Sequence, residues 1–570
     1  MDSFVQGRTK SARWHCRQSW AGVLFGPTGL RLDEWLAGGS VEIVKHGPHR
    51  SVYRVTAGER EFYVKHFRCH TIWDRARHFF RHSQARREWQ RAESVARRGV
   101  TTIRPIAWQE QKGTGPVGES FLVTEAIAGA CTLDEYYRQR LPELPRKEQP
   151  AIRRRLLVAF AQFMAKVHQN GICHGDLHPG NIIISLDGHR PLVEPGTQRY
   201  RLHLIDVTNV RFTRALTWPR VLAGLAVLNA AWKDDLSNAD RNRFWKAYIA
   251  ACPELKTPHL HQVIDQLQQR TEAHYRRRLR RRDRRTLRTS HDFVALRTRQ
   301  GRAHGLSQLR PESLRELSTA PEMLLRGNMH RPVKLDCGSV IVEADLPLEE
   351  RSVHVAYKRY RPRKWWKALA APFRPAKAVQ SWQRGHGLRL RGIPAAQPVA
   401  AVDRRRPWYR CESYLAVQWI EGSENLHLYL WRIAGRSHNI RMRQANRCAE
   451  SLGRLLGRMH AQRVLHGDLK AGNLLVTDHD GKIESHLVDV DDVRLDVDTS
   501  LPRRAADLAR LAVSLEAHPW VSRTVRLRFL RAYLRECGRT ALGWNTLWRA
   551  IAKRAERITR RKRRKKQAVL

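Results

Sequence analysis

Apolar residues at Leu156, Leu157, Phe160, Phe163, Met164 and Val167 fall three and four apart, the spacing of one helix face. Leu452, Leu455, Leu456 and Met459 repeat that spacing far downstream. Each predicted helix leads into a polar segment containing His-Gly-Asp: ICHGDLHPGNIIIS over 172–185 and VLHGDLKAGNLLVT over 464–477. The apolar runs that close these segments, IIIS and LLVT, predict short strands. LHLIDV (202–207) and HLVDV (486–490) predict their hairpin partners. Each half therefore reads as helix, polar loop and hairpin, with an aspartate at the hairpin's far end.

The likeness extends well beyond these motifs, and a long-period repeat decides the architecture of a long chain. Asp176 and Asp468 lie 292 residues apart. Upstream at that offset, FYVKHF (62–67) faces VAYKRY (355–360), with Lys65 and Lys358 separated by 293. Trp73, Phe80 and Trp89 follow Lys65 by 8, 15 and 24 residues, and Trp366, Phe373 and Trp382 follow Lys358 by the same intervals. Phe121 and Tyr414 lie 56 after their lysines, and Gly129 and Gly422 lie 64 after. His168 and His460 each precede their HGD aspartate by eight. Agreement at so many separations identifies a duplication. Two domains also suit 570 residues, more than a single hydrophobic core ordinarily serves.

Charge changes the picture next. Lys+Arg number 105 against 54 Asp+Glu, a formal net charge of +51 with a pI near 11.1. Such a chain is drawn to polyanions: nucleic acid, anionic lipid headgroups or phosphorylated glycolipid. Basic residues run through nearly every segment, so composition does not choose among these, although 275–288 (YRRRLRRRDRRTLR) and 560–566 (RRKRRKK) are densest. A hydrophobic content of 42% excludes wholesale disorder. The nine cysteines are scattered with no CxxC spacing, which points to reduced thiols in a cytoplasm and away from structural metal. The first twenty residues lack the apolar core of a secretory signal. The longest apolar stretch, 221–232, falls short of the ~20 residues a spanning helix needs, so any membrane contact is expected to be peripheral.

Phosphoryl transfer from ATP asks a protein to hold phosphates, place metal charge and aim a hydroxyl. Both halves offer residues for these tasks in one order. Lys65 and Lys358, on predicted strands, suit the α- and β-phosphates. Asp176 and Asp468, in turns, suit the proton of the attacking hydroxyl. Asn181 and Asn473, five residues further on, and Asp206 and Asp489, beyond the next hairpin, suit magnesium. A lone HGD is an ordinary turn. Two of them, each with this asparagine, this aspartate and a lysine upstream, form a specific pattern.

On these residues both halves resemble the protein-kinase-like superfamily. The resemblance is to its HGD-type branches, which include aminoglycoside phosphotransferases and the Kdo/WaaP-type lipopolysaccharide kinases, and it covers most of each copy. It implies an α+β fold of two tandem bilobal domains, each with a small β-rich N-lobe and a larger helical C-lobe. It implies ATP and Mg2+, with Lys65, Asp176, Asn181 and Asp206 as the working set of one copy and Lys358, Asp468, Asn473 and Asp489 of the other. His174 and His466 would brace the loops. It also implies a helix glutamate paired with the lysine, a place Glu88 fills and Ser381 occupies in the second copy. No Asp or Glu occurs from 351 to 402, so Lys358 is expected to lack a local carboxylate. Lys470 stands two after Asp468, where protein kinases place a lysine against the transferring phosphate, whereas the first copy has His178. Asp491 and Asp492 read as extra metal ligands or a solvated turn. The glycine loops are thin, with one glycine each in 44–55 and 335–345.

The expected organisation is an N-terminal extension 1–39, a kinase-like domain 40–288, a basic linker 289–322, a second kinase-like domain 323–555 and a basic disordered tail 556–570. Basic and aromatic residues alternate over 66–89 and 359–382, as suits a glycolipid or peripheral membrane surface. That style leans the reading toward lipopolysaccharide kinases: an ATP-dependent enzyme phosphorylating a sugar hydroxyl of lipopolysaccharide core or a related glycolipid. A cytoplasmic location follows, with peripheral contact at the inner face of the cytoplasmic membrane left open. Trp89 and Trp382 are expected in the packing, while Trp73, Trp365 and Trp366 are open between packing and ligand contact. Two alternatives stand: a protein Ser/Thr kinase, favoured by Lys470, and a pseudokinase scaffold binding polyanions, favoured by Ser381. No APE-like triplet follows Asp206 or Asp489 within a normal distance, and nucleic acid is the less favoured partner.

Overall fold

The computed structural model describes residues 3–47, 49–68, 82–111, 119–197, 199–214, 217–233, 235–255, 259–326, 332–336, 339–361, 375–405, 410–538 and 543–567. Trp73, Phe80, Trp365, Trp366 and Phe373, with most of the two basic-aromatic segments, lie outside the described residues. The chain divides into two compact units, Met1–Tyr275 and Arg276–Leu570.

The first unit opens with a seven-stranded sheet. Strands β1 (Phe4–Arg8), β2 (Ala12–Arg17), β3 (Val41–Lys45), β4 (Arg50–Ala57), β5 (Arg60–Phe67), β6 (Pro105–Gln111) and β7 (Ser120–Glu125) pair in the order β1-β2-β6-β7-β5-β4-β3. Alternation sets its faces: in β5, Phe62 and Val64 are fully buried in a core with Cys16, Val55, Ile106 and Val123, which turns Lys65 to the opposite face. Helix α1 (Gln84–Arg97) begins where Ser83 accepts a hydrogen bond from the Arg86 N–H at 3.1 Å. It buries Ala85, Glu88, Trp89, Ala92 and Val95, one face of a helical period. The helical lobe follows with α2 (Gln149–Gln169), α3 (Trp218–Ala231), α4 (Asn238–Ala251) and α5 (Leu260–Arg285). Phe160, Met164, Val167, Ile182, Leu225, Trp232 and Tyr248 build its core. Between α2 and α3, strand Ile182–Asp187 pairs with Leu202–Leu204 as the hairpin reading expects.

The second unit repeats this plan. Strands β8 (Phe293–Thr298), β9 (Gly301–Leu306), β10 (Pro332–Asp336), β11 (Ser339–Pro347), β12 (Ser352–Tyr360), β13 (Pro398–Arg405) and β14 (Arg410–Gln418) pair in the order β8-β9-β13-β14-β12-β11-β10. Every label is seven above its counterpart, so the duplication is one of topology as well as sequence. Register agrees: Lys65 faces Leu122 across β5–β7, and Lys358 faces Leu415 across β12–β14. Helices α6 (Lys377–Arg389), α7 (Leu426–Ala434), α8 (His438–Ala461), α9 (Leu501–Ser514), α10 (Arg523–Glu536) and α11 (Trp544–Gln567) complete it.

Three expectations about organisation meet a different arrangement. Residues 4–17, set aside as an extension, form two strands at one edge of the first sheet. Residues 293–306, assigned to a linker, form the matching edge of the second. Their inward residues are small or few (Ala12, Cys16, Ala303), and most of their arginines face outward although Arg17 is buried, so a period of two is hidden under charge. Residues 556–567, expected to be a disordered tail, continue α11, which Leu547, Trp548 and Ile551 anchor to the helical core. The unit boundary falls inside α5. Beyond it, Asp283 accepts a two-pronged bond from Arg391 at 2.9 Å on each arm, and the Thr286 carbonyl accepts the Trp382 indole N–H at 2.9 Å. Trp89 and Trp382 are buried packing residues, as expected. No helix among the described residues is long and apolar enough to cross a membrane.

Candidate active site

In the first unit the Lys65 ammonium is hydrogen-bonded to Glu88 Oε1, and Glu88 is only 2% exposed. The strand supplies the lysine and the buried face of α1 supplies the acid. The Thr208 hydroxyl, 2.8 Å from Glu88 Oε2 and 3.1 Å from Asp206 Oδ1, links the pair to the aspartate beyond the hairpin. Asp206 adopts a left-handed backbone (φ 52°) at the start of the turn Val207–Asn209. Its carboxylate also receives Arg50, whose Nη1 lies 3.2 Å from both oxygens. Burial opposes ionisation of Asp206, but Lys65, Arg50 and the Thr208 hydroxyl outweigh it and hold the carboxyl below the usual range.

The HGD loop is braced from the same side. His174 is buried. Its Nδ1 accepts the Asp176 N–H at 3.2 Å, which leaves the Nε2 proton for the Ile205 carbonyl at 3.2 Å. Burial favours this neutral ring and lowers its pKa. Asn181 Nδ2 donates to the Asp176 carbonyl at 2.8 Å, and the Ile205 N–H donates to the Asn181 carbonyl at 2.9 Å. A continuous path thus runs from Lys65 through Glu88, Thr208 and Asp206 to Ile205, Asn181 and Asp176. The four residues picked from distant stretches are brought together. The Asp176 side chain itself is 65% exposed, with His178 Nε2 3.9 Å from Oδ2.

The second unit reaches a similar arrangement by other residues. Asn473 Nδ2 donates to the Asp468 carbonyl at 2.9 Å, and Lys470 Nζ donates to Asp468 Oδ2 at 2.8 Å. Asp489 repeats the left-handed backbone (φ 55°) at the start of a like turn, Val490–Asp492. Lys358 does not lack a carboxylate: Nζ donates to Asp489 Oδ1 at 2.6 Å and Asp491 Oδ2 at 2.8 Å. Asp491 also accepts Tyr360 Oη at 2.6 Å and Ser381 Oγ at 2.8 Å, both on Oδ1, and its carbonyl accepts Arg384. It is therefore not a solvated turn, whereas Asp492 is exposed. Burial works against the Lys358 charge, but the two carboxylates overcome it and raise its pKa.

Asp507 on α9 went unseen in the sequence. It is 2% exposed and accepts the backbone N–H groups of His466 at 2.7 Å and Gly467 at 3.2 Å, so it clamps the second HGD loop. The available signal was one acid in an arginine-rich helix, LPRRAADLARLAVS. Gly224 stands 283 residues earlier, the separation of Asp206 and Asp489, so at that position the first unit has no side chain to act as a clamp. The matched histidines of the preceding helices meet tyrosine hydroxyls: His168 Nδ1 lies 2.9 Å from Tyr248 Oη, and His460 Nδ1 2.7 Å from Tyr533 Oη.

Among the described residues no group of three or more His, Cys, Asp or Glu has the makings of a metal cage. Magnesium does not need one, since one or two carboxylates usually hold it together with substrate phosphates and water. Asn181 with Asp206, and Asn473 with Asp489, offer such sparse sets of hard oxygen donors. Each asparagine spends its NH2 on the loop carbonyl, so its amide oxygen is the atom it could offer a cation.

A β-rich lobe carrying a lysine and a helical lobe carrying an HGD loop and hairpin aspartate, present twice, define a tandem protein-kinase-like fold. The family model for the lipopolysaccharide kinase (Kdo/WaaP) family matches residues 45–248 and again 348–533. The chain belongs to that family, once in each unit. A curated relative, the lipopolysaccharide core heptose(I) kinase WaaP of Pseudomonas aeruginosa strain PAO1, is 29% identical over 171 residues, 29% of this chain and 59% of the relative. A solved structure titled WaaP in complex with acyl carrier protein aligns with 43% of this chain and 93% of that one, at 22% identity and a TM-score of 0.31.

Proposed function

We propose that the chain is an ATP-dependent phosphotransferase whose acceptor is a sugar hydroxyl of lipopolysaccharide core or a related glycolipid. The observation that carries this reading is the unbroken path from Lys65 through Glu88 and Asp206 to Asp176, in a member of the lipopolysaccharide kinase family. Lys65, fixed by Glu88, grips the α- and β-phosphates. Asn181 and Asp206 hold magnesium, which when bound supplies positive charge against the phosphates. Asp176 receives the acceptor hydroxyl, aims its oxygen at the γ-phosphorus and takes its proton. In the second unit Asp468 and Asn473 take the corresponding places, with Lys470 beside the incoming phosphoryl oxygens. The net charge of +51 supports recruitment of a phosphate-rich acceptor, and with it peripheral work at the inner face of the cytoplasmic membrane.

The test is transfer of labelled γ-phosphate to lipopolysaccharide core, with a generic protein acceptor alongside. Asp176→Asn and Asp468→Asn are made singly and together. Label is expected on the glycolipid, falling by roughly 10²–10⁴ in the double variant. Undiminished transfer by the double variant refutes the mechanism. Label on protein alone shifts the assignment to a Ser/Thr kinase.

A further inference from the structure

The two units solve one electrostatic problem with their residues exchanged. Glu88 lies 23 after Lys65, and Ser381 lies 23 after Lys358. Thr208 lies two after Asp206, and Asp491 two after Asp489, each inside a turn that begins with a left-handed aspartate. In the first unit the helix provides the carboxylate and the turn the hydroxyl. In the second the helix provides the hydroxyl and the turn the carboxylate. The hydroxyl–carboxylate bond is 2.8 Å in both, Thr208 to Glu88 and Ser381 to Asp491. In both the lysine ammonium sits on the carboxylate.

From this we infer that the second unit is a working nucleotide site in which Asp491 is the positioning residue for Lys358, doing from the turn what Glu88 does from the helix. The inference rests on the phosphotransferase reading above and extends it to the copy whose Ser381 argued for a dead domain. Asp491 is held on both carboxylate oxygens. Its Oδ1 is taken by Tyr360 and Ser381, and its Oδ2 by Lys358. Asp489 alone could not serve the lysine, because a metal at Asp489 competes with the ammonium for the same oxygens. Asp491 leaves Lys358 a carboxylate when Asp489 is engaged. Tyr360, where the first unit has Phe67, fixes the orientation of the exchanged acid.

The experiment measures magnesium-dependent binding of a non-hydrolysable ATP analogue to the full chain by titration calorimetry. A Lys65→Ala background isolates the second site, and the melting temperature of every variant is recorded. Two equivalents are expected for the unsubstituted chain and one in the Lys65→Ala background. Asp491→Thr should weaken the remaining site by roughly tenfold or more, the scale of one lost charge-assisted hydrogen bond. Ser381→Glu with Asp491→Thr, which writes the first unit's pair into the second, should restore affinity to within about threefold of the background value. Asp491→Asn keeps the side chain's shape and serves where Asp491→Thr lowers melting; it too should weaken binding. Rescue by the exchanged pair is a result that a purely structural aspartate does not give. A single equivalent that Lys65→Ala abolishes overturns the inference and leaves the phosphotransferase reading standing. So does unchanged affinity in folded Asp491→Thr and Asp491→Asn, or a double variant no better than Asp491→Thr. No binding by the unsubstituted chain removes the phosphotransferase reading and the inference with it.

Discussion

Replacing Asp507 by alanine should loosen the second HGD loop while leaving the first untouched. Two backbone donors, the buried N–H of His466 and the half-buried N–H of Gly467, lose their acceptor. Each such group costs about 1–3 kcal/mol when left unmade. The Arg510 contact at 3.2 Å adds little, because that side chain is 42% exposed. Deleting the carboxylate also removes its own burial cost, so a net loss of about 2–4 kcal/mol is expected. Hydrogen exchange of the full chain reads it locally. Amides around 464–470 should exchange roughly 30-fold faster or more, since about 1.4 kcal/mol is a factor of ten. The matching amides around 172–178 should not change, because Gly224 offers no clamp there. Asp507→Asn, with one acceptor oxygen left, should fall between. The acid's pH behaviour adds a check. Burial raises its pKa, but His460 and the two backbone donors outweigh that and depress it. A carboxyl depressed on folding stabilises above its unfolded pKa of about 3.9 and loses that contribution as pH falls toward the folded value. Unchanged protection in Asp507→Ala, with an unchanged urea midpoint for the second unit, would refute the clamp.

Three further outcomes are expected. Burial lowers the His168 pKa from 6.5 to about 4, so the unfolded chain binds the extra proton between those values; stability of the first unit should fall by about 3 kcal/mol as pH drops through that window, and His168→Phe should flatten the slope in urea titrations. Trp382→Ala, which empties a fully buried site and frees the Thr286 carbonyl, should cost about 3–5 kcal/mol in the second unit by denaturant unfolding. Lys470→Ala should leave melting unchanged within about 0.5 kcal/mol, because its pair with Asp468 is half exposed, yet lower phosphoryl transfer by the second unit in a Lys65→Ala background.

The sequence made legible whatever short spacing or exact repetition fixes. The loop asparagine must lie a few residues from the aspartate whose carbonyl it reaches, and the hairpin must return its own aspartate alongside, so Asn181, Asn473, Asp206 and Asp489 could be picked by eye. Glu88 could be read through the resemblance, which implies a helix glutamate paired with the lysine. Asp491 could not, because it lies 133 residues from its lysine, beyond the reach of any local spacing. The clue was present all the same, as an acid-to-hydroxyl change at one matched position and the reverse at another. Asp507 was masked by arginines, which also masked β1, β2, β8 and β9. In so basic a chain, outward arginines blur the contrast from which periodicity is read.

The pairing of Asp283 with Arg391 bears on anyone who wishes to express the second half alone. A fragment opened at residue 289, where the charged stretch invites a cut, would discard Asp283 and strand a guanidinium that is 1% exposed. Breaking one side of a buried ion pair commonly costs about 3–5 kcal/mol, enough to turn a stable polypeptide into an insoluble one. It would also strip the Trp382 indole of the Thr286 carbonyl. The practical start is Arg276 or earlier, so the arginine-rich end of α5 is part of the downstream protein's foundation rather than a tether.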